Sequence, residues 1–386
     1  MTAGRSTRIA RVETFTTFGG ARNWVFARVE TEGGIHGWGE ASTELWEATV
    51  ATAIRELGAR LVGMDAMATE QVWQRATRHG FWRGGVVLGS AVAAIDQALW
   101  DIRGKVLGVP VYTLLGGPTR DWVPTYRHVG IYTPDSLAQQ GQALVSQGVR
   151  TIKTGAWVLD SALPERDRLR KAQERLTALR EAVGEEIEIL LDHHGRAELD
   201  EAIRMLHVAA PFRPRWIEEP TPPERTDLLG PWAREARGLG ISVALGERLF
   251  SRSEFRPVLQ QGLIDVAQPD LCHAGGITEV MKIAAMADTF GVALAPHNPG
   301  GPVSTAASAH VAMAVPNRVI LELCPDEPRR SEICIEPWQL QPDRLLVPDR
   351  PGLGIDLDVD AIKAVPARQI KVPTQAFRHD GSVADI

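Results

Sequence analysis

The chain has 386 residues, 44% hydrophobic and 23% charged, with a net charge of −6. This composition excludes a disordered or fibrous chain and suffices for a large core, in two or three domains or in one barrel with a smaller companion. Its 42 basic and 48 acidic residues are interspersed, so no phosphate-binding stripe forms and nucleic acid is not an expected partner.

Residues 24–31 are rich in β-formers, Glu32-Gly33-Gly34 supplies a turn, and 35–40 reads as a return strand, giving a hairpin. Apolar residues then recur every three to four positions over 47–61, 68–78 and 89–105, which predicts three helices. Phe81 and Trp82 are expected to anchor those helices. Pro110 and Gly116-Gly117-Pro118 close a small α+β domain, residues 1–122. From Val123 the rhythm changes to short apolar runs alternating with amphipathic segments. Strands are predicted at 124–129, 149–154, 187–192, 215–218, 242–247, 264–268, 293–296 and 319–322. Helices are predicted at 165–182, 197–208, 277–290 and 305–315. Eight strands with intervening helices predict an α/β fold, a (β/α) barrel over 123–345. An open doubly wound sheet would need a topological switch point and usually a Gly-rich first turn, and neither is evident. Residues 346–386, rich in Pro, Asp and Gly, are expected to pack back on the first domain.

Cys272, Cys324 and Cys334 are odd in number and lack Cys-x-x-Cys spacing, so neither a disulfide framework nor a structural zinc site is expected. No apolar run reaches the roughly 18 residues of a membrane span, and the first residues lack a basic region followed by an apolar one. A cytoplasmic location without membrane association is the expectation.

Carboxylates fall at predicted strand ends. Asp192, Glu218 and Glu247 close three successive strands at spacings of 26 and 29 residues, one βα unit each, and C-terminal strand ends form the mouth of a barrel. Three converging carboxylates repel one another unless a cation compensates, and an all-oxygen set favours a hard ion such as Mg2+. His194 lies two residues beyond Asp192 and points the same way on an extended chain, while His193 points oppositely and reads as structural. His297 follows another strand 27 residues after Asp270, and a carboxylate beside a histidine fixes its tautomer and raises its basicity. Glu322 ends the last strand. Lys153 either neutralises substrate charge or packs its stem in the barrel mouth. Arg248 and Arg252 read either as support for the acids or as ordinary salt-bridge residues.

Together these residues resemble the enolase superfamily, in its mandelate-racemase-like branch, and most closely the galactonate dehydratases. The resemblance is carried by Phe81-Trp82-Arg83-Gly84-Gly85, Ala94-Ile95-Asp96-Gln97-Ala98-Leu99-Trp100-Asp101-Ile102 and Leu115-Gly116-Gly117 in the first domain. In the barrel it is carried by Asp192-His193-His194-Gly195-Arg196, Ile217-Glu218-Glu219-Pro220, Gly246-Glu247-Arg248, Phe250-Ser251-Arg252, Gln268-Pro269-Asp270-Leu271, His273-Ala274-Gly275-Gly276-Ile277-Thr278-Glu279 and Ala295-Pro296-His297. It implies a modified TIM barrel under an α+β capping domain, one Mg2+ per chain, a small-molecule sugar acid as substrate and a homo-oligomer, from dimer to octamer.

The resemblance further implies that Asp192, Glu218 and Glu247 are the metal ligands, with Glu218 rather than Glu219 taken from the pair. It implies that His297, paired with Asp270, is the base that takes the C2 proton of an aldonic acid. His194 is then the acid that protonates the departing 3-hydroxyl, and Glu322 hydrogen-bonds a substrate carboxylate oxygen. The metal stabilises the enediolate, and the product is a 2-keto-3-deoxy sugar acid. Lys153, Arg22, Trp24 and His128 are the expected substrate contacts. Racemases of this branch carry Lys-x-Lys where this chain has Lys153-Thr154-Gly155, which favours dehydration. Galactonate dehydratases usually carry Asn at the Gly155 position and Arg directly before Trp, where this chain has Arg22-Asn23-Trp24. An epimerase or racemase of a related hydroxy acid, and a non-catalytic regulatory relative, are the alternatives.

Overall fold

The computed structural model describes residues 6–130, 133–155, 161–324, 328–370 and 377–385. The chain opens with a three-stranded antiparallel sheet, β1 (Ile9–Phe18), β2 (Asn23–Thr31) and β3 (His36–Glu40). β1 was not expected from the sequence. Its residues alternate Val, Thr and Phe with charged side chains, and they read as a strand only once β2 is seen beside them, with Phe15 opposite Phe26.

Three helices follow: α1 (Glu47–Ala59), α2 (Thr69–Arg78) and α3 (Gly85–Leu107). α3 starts four residues earlier than its periodicity predicts. By length and composition it could cross a membrane, but two thirds of its most apolar window is buried inside the protein. A helix apolar on all sides belongs in a core, and α3 lies against β3. A Cβ at Gly39 would sit 1.8 Å from the Ala94 carbonyl oxygen, so only glycine lets strand and helix approach this closely. Ile54, Leu99, Val25 and Val29 meet in the core of this layer.

After α4 (Val111–Leu114) come β4 (Val123–His128), α5 (Pro134–Ser146), β5 (Thr151–Thr154), α6 (Glu165–Val183), β6 (Glu188–Asp192), α7 (Leu199–Ala209) and β7 (Trp216–Glu218). The series continues with α8 (Leu229–Gly238), β8 (Ser242–Leu245), α9 (Arg252–Gln260), β9 (Val266–Ala267), α10 (Gly276–Thr289), β10 (Ala293–Leu294), α11 (Pro302–Ala314) and β11 (Leu321–Leu323). The strands pair in the order β10-β9-β8-β7-β6-β5-β4-β11, all parallel. A bridge between Leu294 and Val319 brings the two ends of the sheet together. Strand alternation sorts the side chains. Ile189 and Leu191 pack in the large cluster shared with the surrounding helices, whereas Leu190 packs with Tyr126, Trp216 and Ala244. Asp192 therefore shares the inward side with Leu190.

The final described elements are α12 (Pro328–Glu332), β12 (Arg344–Leu345) and α13 (Val359–Ala364), with β12 antiparallel to β4. Beyond β12 the chain returns to the first layer. Leu353 N donates to Asp101 Oδ1 at 2.8 Å, and Arg368 N donates to Asn23 Oδ1 at 2.9 Å. Residues 377–385 go elsewhere than expected: Arg378, Ala384 and Asp385 line a cavity of about 340 Å3 with His193 and Arg196 on the barrel. Phe81 and Trp82 also depart from expectation. They are 88% and 83% exposed and anchor no helix.

Candidate active site

The strands bring the predicted acids to one mouth. Asp192 and Glu218 are register partners across β6 and β7. Glu247 lies two residues past β8, after Gly246, whose φ is +135°. A Cβ at Gly246 would fall 2.5 Å from the Phe255 ring, so glycine is required where the chain turns Glu247 inward. Carboxylate oxygens of Asp192, Glu218 and Glu247 all lie within 4.8 Å of one another.

Glu219, the unchosen member of the pair, has a left-handed φ of +44° and points away from this cluster's centre to brace it. Its carboxylate accepts from Gly246 N at 3.0 Å and from Arg248 Nη2 at 2.8 Å. Arg248 Nε in turn lies 3.7 Å from Glu247 Oε1, so Arg248 does support the acids. Arg252 instead sits 3.5 Å from Glu279, away from the three acids.

Lys153 enters the cluster from β5. Its Nζ is 2.6 Å from Glu218 Oε1, 3.0 Å from Asp192 Oδ2 and 3.1 Å from Glu322 Oε1. Burial disfavours its ammonium, but the three carboxylates outweigh that and hold its pKa well above 10.5. Burial and repulsion from Asp192 push Glu218 up to about 8, against the pull of Lys153. Burial also opposes ionisation of Asp192 and Glu322. His194 and Lys153 outweigh it at Asp192, and Lys153 and His297 at Glu322, so both stay well below the usual carboxylate range.

His297 Nδ1 lies 2.8 Å from Asp270 Oδ2. Its Nε2 faces the mouth, 3.4 Å from Glu247 Oε2 and 3.9 Å from Glu322 Oε2. Burial alone would lower its pKa, but Glu247, Glu322 and Asp270 raise it well above 6.5. Across the cluster, His194 Nε2 is 3.0 Å from Asp192 Oδ2, and Asp192 raises its pKa against the effect of burial. The extended-chain reasoning for His194 fails. β6 ends at Asp192, His194 adopts a φ of +54°, and its backbone N–H donates to Asp192 Oδ1 at 3.0 Å. A turn, not strand alternation, places the imidazole. His193 is fully buried and kept neutral, with a pKa pushed down to about 3 by burial.

Among the expected substrate contacts, His128 Nε2 lies 2.7 Å from Glu322 Oε1 at the mouth. Arg22 pairs with Glu44 at 2.6 Å. Trp24 has no exposed surface. It is packed against Gly19 and Gly301, so in this geometry it shapes the loop after His297 rather than offering a face to a ligand.

Sequence reasoning missed the polar struts that tie the first layer to this mouth. Glu40, at the end of β3, is fully buried and accepts from the N–H of Gly301 and, at 2.9 Å, from that of Ser304, at the start of α11. Gln97 on α3 bridges layers by donating to the carbonyls of Glu40 at 3.0 Å and Leu271 at 2.9 Å. Asn298 N donates to Glu322 Oε2 at 2.6 Å, fixing the loop beside His297. One signal was available: a glutamine inside the apolar run of α3 must find a buried partner.

Residues 5–116 match the mandelate racemase / muconate lactonizing enzyme N-terminal domain, and residues 136–361 match the enolase C-terminal domain-like family. A D-galactonate dehydratase of Xanthomonas euvesicatoria pv. vesicatoria is 38% identical over 383 residues, covering 97% of this chain and all of the relative. That of Ralstonia pickettii is 39% identical over 392 residues, with coverage of 97% and 100%. An enolase from Pantoea ananatis with bound D-gluconate and Mg superposes with a TM-score of 0.88 at 28% identity, over 98% of this chain and 99% of that one. An enolase superfamily member from Salmonella Typhimurium gives 0.88 at 30% identity, over 94% and 100%.

Proposed function

The chain belongs to the enolase superfamily, with both domains of the mandelate racemase / muconate lactonizing enzyme arrangement, and from that premise we propose that it is a Mg2+-dependent dehydratase of galactonate-like acid sugars. The observation that carries the reading is the placement of two imidazoles, each paired with a carboxylate, on either side of one cluster of acids.

Asp192, Glu218 and Glu247 fit a hard divalent cation. Their donors are all carboxylate oxygen, they converge, and their mutual repulsion calls for positive charge beyond the single ammonium of Lys153. When bound there, such a cation would hold the substrate carboxylate and offset the negative charge that grows on it as the α-proton leaves. Asp270 accepts the Nδ1–H of His297 and so turns Nε2 toward the mouth; a cation on the neighbouring acids would offset the carboxylate field that holds this imidazole protonated and free Nε2 to accept a proton. That nitrogen takes the C2 proton. Protonated His194 delivers its proton to the 3-hydroxyl, which leaves as water. The resulting enol tautomerises to a 2-keto-3-deoxy acid, and the proton on His297 returns to solvent. Ionised Glu322 would act on the substrate's carboxylate end by holding the donors Lys153 and His128 in place beside it.

A racemase needs a second free base opposite His297. Lys153 is bound by three carboxylates and its pKa is raised, which makes it a poor base and disfavours that reading. The test is incubation with Mg2+ and a panel of five- and six-carbon acid sugars, assayed for 2-keto-3-deoxy products. Turnover of at least one aldonate, abolished by EDTA and restored by Mg2+, is the expected result. C2 inversion without dehydration would overturn the reading, as would silence across the panel.

A further inference from the structure

Asp270 faces two histidines. His297 Nδ1 lies 2.8 Å from its Oδ2, and His273 Nε2, from the turn after β9, lies 3.7 Å from the same oxygen. The other carboxylate oxygen accepts from Cys272 N at 2.6 Å. Burial opposes ionisation of Asp270, but His273 and His297 outweigh it and hold the carboxyl below its usual range. The proton transfers described above give His273 no part.

The far edge of His273 is held by the first layer. Its Nδ1 lies 2.8 Å from Ser90 Oγ on α3, and that hydroxyl is also 2.6 Å from the Val86 carbonyl oxygen one turn earlier. Ser90 is fully buried and the His273 side chain is only 13% exposed. One hydroxyl proton cannot serve both acceptors. Given to Nδ1, it leaves the neutral ring with its own proton on Nε2. Given to Val86, it makes Nδ1 the donor to Ser90, and a bare Nε2 lone pair would then face a carboxylate, so the ring takes a second proton. Both arrangements set an Nε2–H toward Asp270.

The turn itself is fastened to the first layer along its length. A Cβ at Gly89 would fall 2.6 Å from the His273 carbonyl oxygen, so α3 reaches this turn only through glycine. Besides the Gln97 bond to Leu271, Trp73 Nε1 donates to the Gly275 carbonyl at 2.9 Å, and Thr278 N donates to Asp96 Oδ2 at 2.9 Å.

We propose that His273 is a positioning residue for the base: its Nε2–H steadies Asp270, and through Ser90 the first layer thereby sets the orientation of the His297 imidazole. The proposal rests on the reading of His297 as the base. At 3.7 Å the contact is too long for a direct hydrogen bond and acts by electrostatic attraction. A shift of the Asp270 carboxylate swings the imidazole it holds, as happens when the partner that orients a functional histidine is disturbed.

Two amide replacements separate the edges of the ring, since Gln carries its N–H out to the Nε2 position and Asn only to that of Nδ1. In the full chain with Mg2+, labelled with 15N-histidine, the His297 Nδ1–H resonance is identified by its loss in H297N. It shifts in His273→Asn and in Ser90→Ala, and stays near the wild-type position in His273→Gln. With an aldonate that the wild type turns over, His273→Asn lowers kcat by roughly 10- to 100-fold and changes KM by less than about threefold, and His273→Gln restores most of the loss. Ser90→Ala gives the same effects more weakly and carries the test should His273→Asn fail to fold. A resonance unmoved in His273→Asn and Ser90→Ala overturns the inference. So does an equal loss of kcat in the Asn and Gln variants, which would mark His273 as a packing group between the layers. Silence of the wild type across the acid sugars refutes the dehydratase reading instead, and the resonance alone then decides the role of His273.

Discussion

Replacing Lys153 with Met tests the electrostatics of the mouth most directly. The substitution keeps an unbranched apolar stem of similar length but removes an ammonium lying 2.6 to 3.1 Å from Asp192, Glu218 and Glu322. Removing one partner from a buried ion cluster costs about 3–5 kcal/mol, because the remaining charges stay buried and unpaired. Glu218, already pushed up to about 8, takes a proton readily and relieves part of this, so the low end, about 3 kcal/mol, is expected without metal. At about 2 cal/mol/K of unfolding entropy per residue, a chain of 386 residues loses roughly 4 °C of Tm. A divalent cation supplies the missing charge, so in saturating Mg2+ the loss shrinks, and the metal-induced rise in Tm is larger in the variant than in the wild type. Calorimetry of both proteins in EDTA and in Mg2+ measures all four values. An equal loss with and without metal would refute the reasoning, since Lys153 would then act through packing alone.

Other outcomes follow from the same geometry. His297→Asn removes the proposed base while leaving the acid cluster intact: C2-proton exchange by NMR in D2O falls by roughly 10²–10⁴, and Mg2+ binding by calorimetric titration is retained. Glu40→Gln turns an acceptor for the Gly301 and Ser304 N–H groups partly into a donor, so stability drops by about 1–3 kcal/mol, with kcat falling more than KM rises as the loop after His297 loosens. Asp356 opposes its own ionisation through burial, but His36, Lys105 and Trp38 outweigh this and lower its pKa from 3.8 to about 2. A depressed carboxylate stabilises the fold above its unfolded pKa and loses that contribution as pH falls through the folded one. With the side chain 37% exposed, the contribution is discounted to about 1 kcal/mol. The stability gap between wild type and Asp356→Asn therefore closes between about pH 4 and about pH 2 in denaturant titrations.

The repeat of short apolar runs and amphipathic segments made the barrel strands legible, because alternation and helical periodicity are local properties of the chain. Acids at the ends of those runs, spaced one βα unit apart, were legible for the same reason: Asp192 and Glu218 close paired parallel strands and Glu247 follows the next one, so all three reach one rim, although the turn at Gly246 that aims Glu247 inward was not predicted. Asp270 and His297 followed by the same spacing. Contacts whose partners lie far apart in sequence were not legible. β1 became a strand only beside β2, and His194 reached Asp192 through a turn that alternation did not predict. The ammonium of Lys153 sits among three carboxylates from three other strands, and Glu40 and Gln97 reach across layers to the loops carrying His297 and Asp270. Composition made Phe81 and Trp82 look like core, yet they stand in water. Local pattern sets which face of an element is apolar, but which surface arrives to cover that face, or to pair a buried charge, depends on how the layers pack in three dimensions.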